Sequence, residues 1–61
     1  MNYLVTLNNK SMGLFPFRSE AEKIIEVFQR ASDRDYRNAS FSIIEIENWA
    51  EAIDLFTRMS P

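Results

Sequence analysis

The sequence predicts an α+β domain: a two-layer sandwich in which two helices cover one face of a three-stranded antiparallel sheet of order 2-1-3. Three observations predict it. Two apolar stripes at helical spacing each follow a capping signal. Three short runs are rich in β-branched and aromatic residues. The first two of these runs are joined by a turn cluster short enough for a hairpin. The whole 61-residue chain reads as a single domain, 1–61.

The elements follow in chain order as β-β-α-β-α. Tyr3–Leu7 places Tyr3, Val5 and Leu7 on one face and Leu4 and Thr6 on the other, so this strand is apolar on both sides. Asn8-Asn9-Lys10-Ser11 is the turn, and Gly13 just beyond it permits an unusual backbone angle. Leu14–Phe17 reads as the second strand. Pro16 lacks an amide hydrogen and confines that strand to a sheet edge or an extended loop. Ser19 opens the first helix, 19–32, with Glu22 completing a capping box. Its stripe is Ala21, Ile24, Ile25, Phe28 and Ala31, widened by Val27.

The polar run Ser32-Asp33-Arg34-Asp35 reads as a solvated linker. Phe41–Glu47 is the third strand, with Phe41 and Ile43 on one side and Ile44 and Ile46 on the other. Asn48 caps the second helix, 48–59, again with an acid at the third position, Glu51. Its stripe is Trp49, Ala52, Ile53, Phe56 and Met59, flanked by Leu55. Phe28, Ile53 and Phe56 sit mid-stripe and are expected in the core. Ile25–Ser32 also matches Ile53–Ser60 at a constant offset of 28 residues. A duplicated strand–helix unit gives such a pattern, and two amphipathic helices facing one sheet converge on it without duplication.

Composition narrows the chemistry. The chain has no histidine and no cysteine. Histidine alone titrates near neutrality unperturbed, and thiolate is the strongest ordinary protein nucleophile. The usual zinc, haem and iron–sulfur sites and His-assisted nucleophiles therefore lack their residues. The chain is read as a non-enzyme without cofactor or metal. A domain this short buries only about 60% of its unfolded surface and has no disulfide to help. Five Phe, two Tyr and Trp49 supply an apolar core instead. Seven basic and nine acidic residues give net −2, too balanced for a nucleic-acid binder held by phosphate contacts. No run is long enough to span a membrane and no leader is read at Met1, so the expected location is the cytoplasm.

The remaining candidates are surfaces. Glu45 and Glu47 point the same way on their strand, but a carboxylate pair working as acid and base needs split environments, and no basic clamp stands near. Asp33-Arg34-Asp35 lacks the oxygen count and turn glycine of a calcium loop. Arg30, Arg34 and Arg37 with Tyr36 can grip phosphates, although cations also complement a helix C-terminus. Acids on both helices form one negative field if both helices cover the same sheet face, and such a field steers a basic partner. Glu22, Glu26, Glu51 and Asp54 are the steering candidates. Phe15, Phe17 and Tyr36, in loops or at an edge, are the apolar anchors. Strand 1 is apolar on both faces, so a sheet covered by helices on one side either leaves an open apolar face for a homodimer or is covered there by the loop Met12–Phe17.

No signature motif identifies a family. In general type the chain resembles the very small acidic α/β proteins that phages encode to block bacterial defence systems, anti-CRISPR proteins among them. The likeness lies in a very short domain starting at Met1, without cysteine, modestly acidic and without catalytic apparatus. It carries no residue over by position. It implies stoichiometric inhibition: a non-enzymatic protein-binding module that occupies a basic or assembly surface of a large nucleoprotein complex, in the host cytoplasm. The alternatives are a small regulatory domain that homodimerises through its open sheet face, and nucleic-acid binding through the Arg cluster.

Overall fold

A computed structural model describes residues 1–30 and 34–60 of the chain. Its elements are β1 (Asn2–Leu7), β2 (Lys10–Phe15), α1 (Arg18–Gln29), α2 (Arg34–Arg37), β3 (Phe41–Ile46) and α3 (Trp49–Arg58). The strands form one antiparallel sheet of order β2-β1-β3, the α+β architecture that the sequence predicts.

The hairpin turns on two residues, Asn8 and Asn9, both with positive φ (52° and 68°). Two-residue turns of this kind match the twist of the flanking strands, and Asn tolerates the left-handed region better than other side-chain-bearing residues. Gly13, expected to supply the unusual angle, has no positive φ and sits inside β2. Starting β2 at Lys10 moves it four residues upstream of the expected Leu14–Phe17. It ends at Phe15, before Pro16. The register slips between Val5 and Thr6, leaving Met12 as a bulge.

The helix starts also differ from one another. Asn48 accepts at Oδ1 from the amides of Ala50 (2.8 Å) and Glu51 (3.3 Å), a side-chain cap as expected. The first helix instead begins at Arg18 with Phe17 in the cap position and no side-chain cap. Ser19 is already inside the helix, so the Ser19–Glu22 capping box does not form. Extended backbone at Pro16–Phe17 delivers the chain directly into the first turn, and the Phe17 carbonyl accepts from Glu20 and Ala21. The short helix α2 replaces part of the expected linker. Ala31, Ser32 and Asp33 lie outside the described residues.

Layering is the main correction. Directly opposed residues of an antiparallel pair point to the same face. Leu4 is opposed by Leu14 and Ile44, and Asn2 by Ile46, so these lie on one side. Leu4, Ile46 and Ala52 form the buried cluster there, with Leu14, Ile44, Leu55, Phe56 and Met59 packed around it. Ser11, on that face, donates its hydroxyl to the Phe56 carbonyl (2.7 Å) and its amide to the Met59 carbonyl (3.0 Å), fastening α3 to β2. Val5 and Ala21 are also fully buried but stand outside this cluster. Val5 shares its face with Tyr3 and Glu45, and Glu45 accepts from Arg18 of α1 at 2.7 Å.

So α3 covers the Leu4 face and α1 the Val5 face, and the two helices make no close approach. The expectation of both helices on one face fails for a reason already present in β1: its apolar residues alternate to both sides, and both sides need cover. The right-handed preference of the β2–α1–β3 crossover selects one face for α1, and α3 takes the other. The same arrangement removes the open sheet face on which the homodimer expectation rested, because Leu4 and Val5 are both 0% exposed.

The core stripe of α3 is Ala52, Leu55, Phe56 and Met59; that of α1 is Ala21, Ile24, Ile25 and Phe28. Ile53, expected in the core, is 43% exposed. Phe28 and Phe56 are half-buried. The two stripes correspond at a shift of one helical turn minus a fraction from the 28-residue match, so Ile25, inside, aligns in sequence with Ile53, outside. The match at an offset of 28 is therefore not the structural correspondence. At an offset of 31, β2 (Lys10–Phe15) coincides with β3 (Phe41–Ile46) and the helix start at Arg18 with that at Trp49, so the two strand–helix units repeat in that register.

Candidate protein-interaction surface

The pairings Asn2–Ile46 and Tyr3–Phe15 bring the start of β1 beside the ends of β2 and β3. Both α1 and α3 begin at this end, because each follows one of those strands. The segments that leave the sheet here place Met1, Phe17 and Trp49 together at one end of the molecule. They are 56%, 62% and 59% exposed, the most exposed large apolar side chains apart from Val27 at 57%. Trp49 is the first residue after the Asn48 cap, so it overhangs the sheet instead of lying on it. That position explains its exposure despite its place in the sequence stripe.

Acids gather at the same end. Glu20 and Glu22 lie at the start of α1, Glu51 in the first turn of α3, and Glu45 and Glu47 at the close of β3. Arg18 bridges two of them, reaching Glu22 at 3.2 Å and Glu45 at 2.7 Å. All three side chains are half or more exposed, so these pairs contribute little to stability. Glu20, Glu47 and Glu51 are exposed and have no ion-pair partner among the described residues.

The opposite end is weakly positive, with five bases against the acids Glu26, Asp54 and, on α2, Asp35. Lys10 closes the hairpin, Arg30 and Arg58 end the long helices, and Arg34 and Arg37 lie on α2. Glu26 pairs with Arg30 (2.7 Å) and Asp54 with Arg58 (2.6 Å). Acids at helix starts and bases at helix ends both complement the helix dipole. Two helices pointing the same way make the whole molecule bipolar.

Of the residues expected to act together, Glu22, Glu51, Phe15 and Phe17 lie at the acidic end. Phe15 is half-buried on the α1 face, its ring so close over Gly13 that a β-carbon there would meet Cε2 at 3.2 Å. Glu26 and Asp54 are drawn toward the basic end by their arginines. Tyr36 packs edge-on against Phe28, with ring centroids 5.1 Å apart. The four acids form no single field, since Glu26 and Asp54 pair with Arg30 and Arg58 toward the other end. Sequence reasoning missed Trp49, Met1 and Glu45 as members of this end; Glu20 and Glu47 it counted among the surface acids but not among the steering residues. The usable signal was the cap itself: a residue directly after Asn48 stands in the first turn, beyond the strand end.

The described residues form no pocket, bring together no cluster of metal-ligating side chains, and include no helix long and apolar enough to cross a membrane. Compared with known proteins, the chain matches no family model, no curated protein and no solved structure.

Proposed function

We propose that this chain is a non-enzymatic protein-binding module acting as a stoichiometric inhibitor, its acidic, apolar end occupying a basic surface of a larger partner. The nucleic-acid-binding surface of a bacterial defence complex has the required charge. The observation that carries the reading is the coincidence of Met1, Phe17 and Trp49, all more than half exposed, with five carboxylates at one end. Exposed tryptophan and phenylalanine supply affinity when a partner desolvates them, and the surrounding acids raise the association rate toward a positive surface. The end imitates a short stretch of nucleic-acid backbone beside an apolar foothold.

Affinity capture from a bacterial lysate tests this with the parent chain and three double variants as baits. The parent chain is expected to retain a nucleoprotein complex. Trp49→Ala with Phe17→Ser is expected to lose it by faster dissociation, and Glu47→Lys with Glu51→Lys by slower, less salt-dependent association. Retention unchanged by both variants refutes the reading. Salt-sensitive retention of RNA or DNA lost on Arg34→Ala with Arg37→Ala assigns function to the basic end instead.

A further inference from the structure

β3 forms one outer edge of the sheet. The Asn8 amide donates to the Ser40 carbonyl at 2.7 Å, which sets the phase of the β1–β3 ladder. In an antiparallel ladder the hydrogen-bonded positions alternate, so residues 42, 44 and 46 turn their backbone groups toward β1. The amides and carbonyls of Phe41, Ile43 and Glu45 point outward. None of them has a hydrogen-bond partner among the described residues.

Natural sheets protect such edges with bulges, lysines, prolines or covering segments. The other edge of this sheet carries three of those devices: Lys10, the bulge at Met12, and Pro16 where β2 stops. β3 carries none. Its six residues stay in unbroken register with β1, and four of them are Phe or Ile. The short helix α2 does not contact it.

We propose that a second copy of this chain occupies this edge, β3 pairing antiparallel with β3 about a two-fold axis and joining the two sheets into one. Two features select that occupant and orientation. Centred on Ile43, the antiparallel register sets Ile43 against its counterpart and Phe41 against the second copy's Glu45, so no like charges face each other. The two-fold also reverses one bipolar molecule relative to the other. Each acidic end then lies beside a basic end, as charge complementarity requires. The inference does not rest on the proposed inhibitor role. Phe17 follows β2, on the far edge of the sheet, so pairing leaves it free.

Sedimentation equilibrium of the full chain from micromolar to millimolar concentration, with amide exchange followed by NMR, tests the pairing. The weight-average mass is expected to climb from 7.2 kDa toward twice that value, and less steeply at high salt. The Phe41, Ile43 and Glu45 amides gain protection with concentration, while those of residues 42 and 44 are already protected in the monomer. Ile43→Pro removes an outward amide, at a position where an edge strand accepts proline, together with the half-buried Ile43 side chain, and is expected to hold the mass at the monomer value. Should that variant unfold, the exchange pattern of the parent chain decides alone. A monomeric parent at millimolar concentration, or concentration-dependent protection confined to β2, overturns the proposal.

Discussion

Leu4→Ala is the sharpest probe of the packing. Leu4 is fully buried at the centre of the cluster beneath α3, between Leu14 and Ile44. The lost carbons alone cost roughly 2.4 kcal/mol at about 0.8 kcal/mol per buried methylene. An unrelaxed cavity raises the loss to about 3–4 kcal/mol. A 61-residue domain holds only about 3–9 kcal/mol in total, so the change removes a third of its stability or more. At about 4–8 °C per kcal/mol for a domain this small, the melting temperature falls by roughly 12–30 °C. Far-UV circular dichroism is the suitable assay, because Trp49 is 59% exposed and its emission reports weakly on unfolding. Ile53→Ala is the internal control: at 43% exposure it should lose about 1 kcal/mol and a few degrees. A control that melts as low as Leu4→Ala would mean that α3 presents a different side to the sheet, and the assigned core would be wrong.

Two further outcomes test local structure. Asn48→Ala should destabilise by about 1 kcal/mol through loss of two capped amides, whereas Ser19→Ala should be neutral within the error of a denaturant titration, because Ser19 caps nothing. At the hairpin, Asn9→Gly should be neutral or stabilising, while Asn9→Val should cost about 1–2 kcal/mol in the same titration, since its φ of 68° is strained for a β-branched residue.

The alternation in Tyr3–Leu7, the cap at Asn48 and the two stripes were enough to place three strands and two long helices in order, and the hairpin put β1 in the centre of the sheet. Those signals are local: each depends on residues within one or two turns of chain. Strand 2 was misplaced because the turn chemistry at Asn8-Asn9 outweighs the apolar run at Leu14–Phe17, and Ser19 resembled a cap that extended backbone at Phe17 made unnecessary.

Tertiary structure alone decided where the helices went and hence what the surface is. A helix stripe wider than its core contact does not say which flank is buried; in α3 the sheet took Leu55 and left Trp49 and Ile53 outside. The charges show the same division. The sequence by itself put acids at helix starts and arginines at helix ends, as the helix dipole favours. Only the parallel course of α1 and α3 on opposite faces of one narrow sheet gathered those acids with Met1, Phe17 and Trp49 at a single end. Long-range placement of this kind depends on which faces of β1 demand cover, and that demand is met by contacts between residues far apart in the chain.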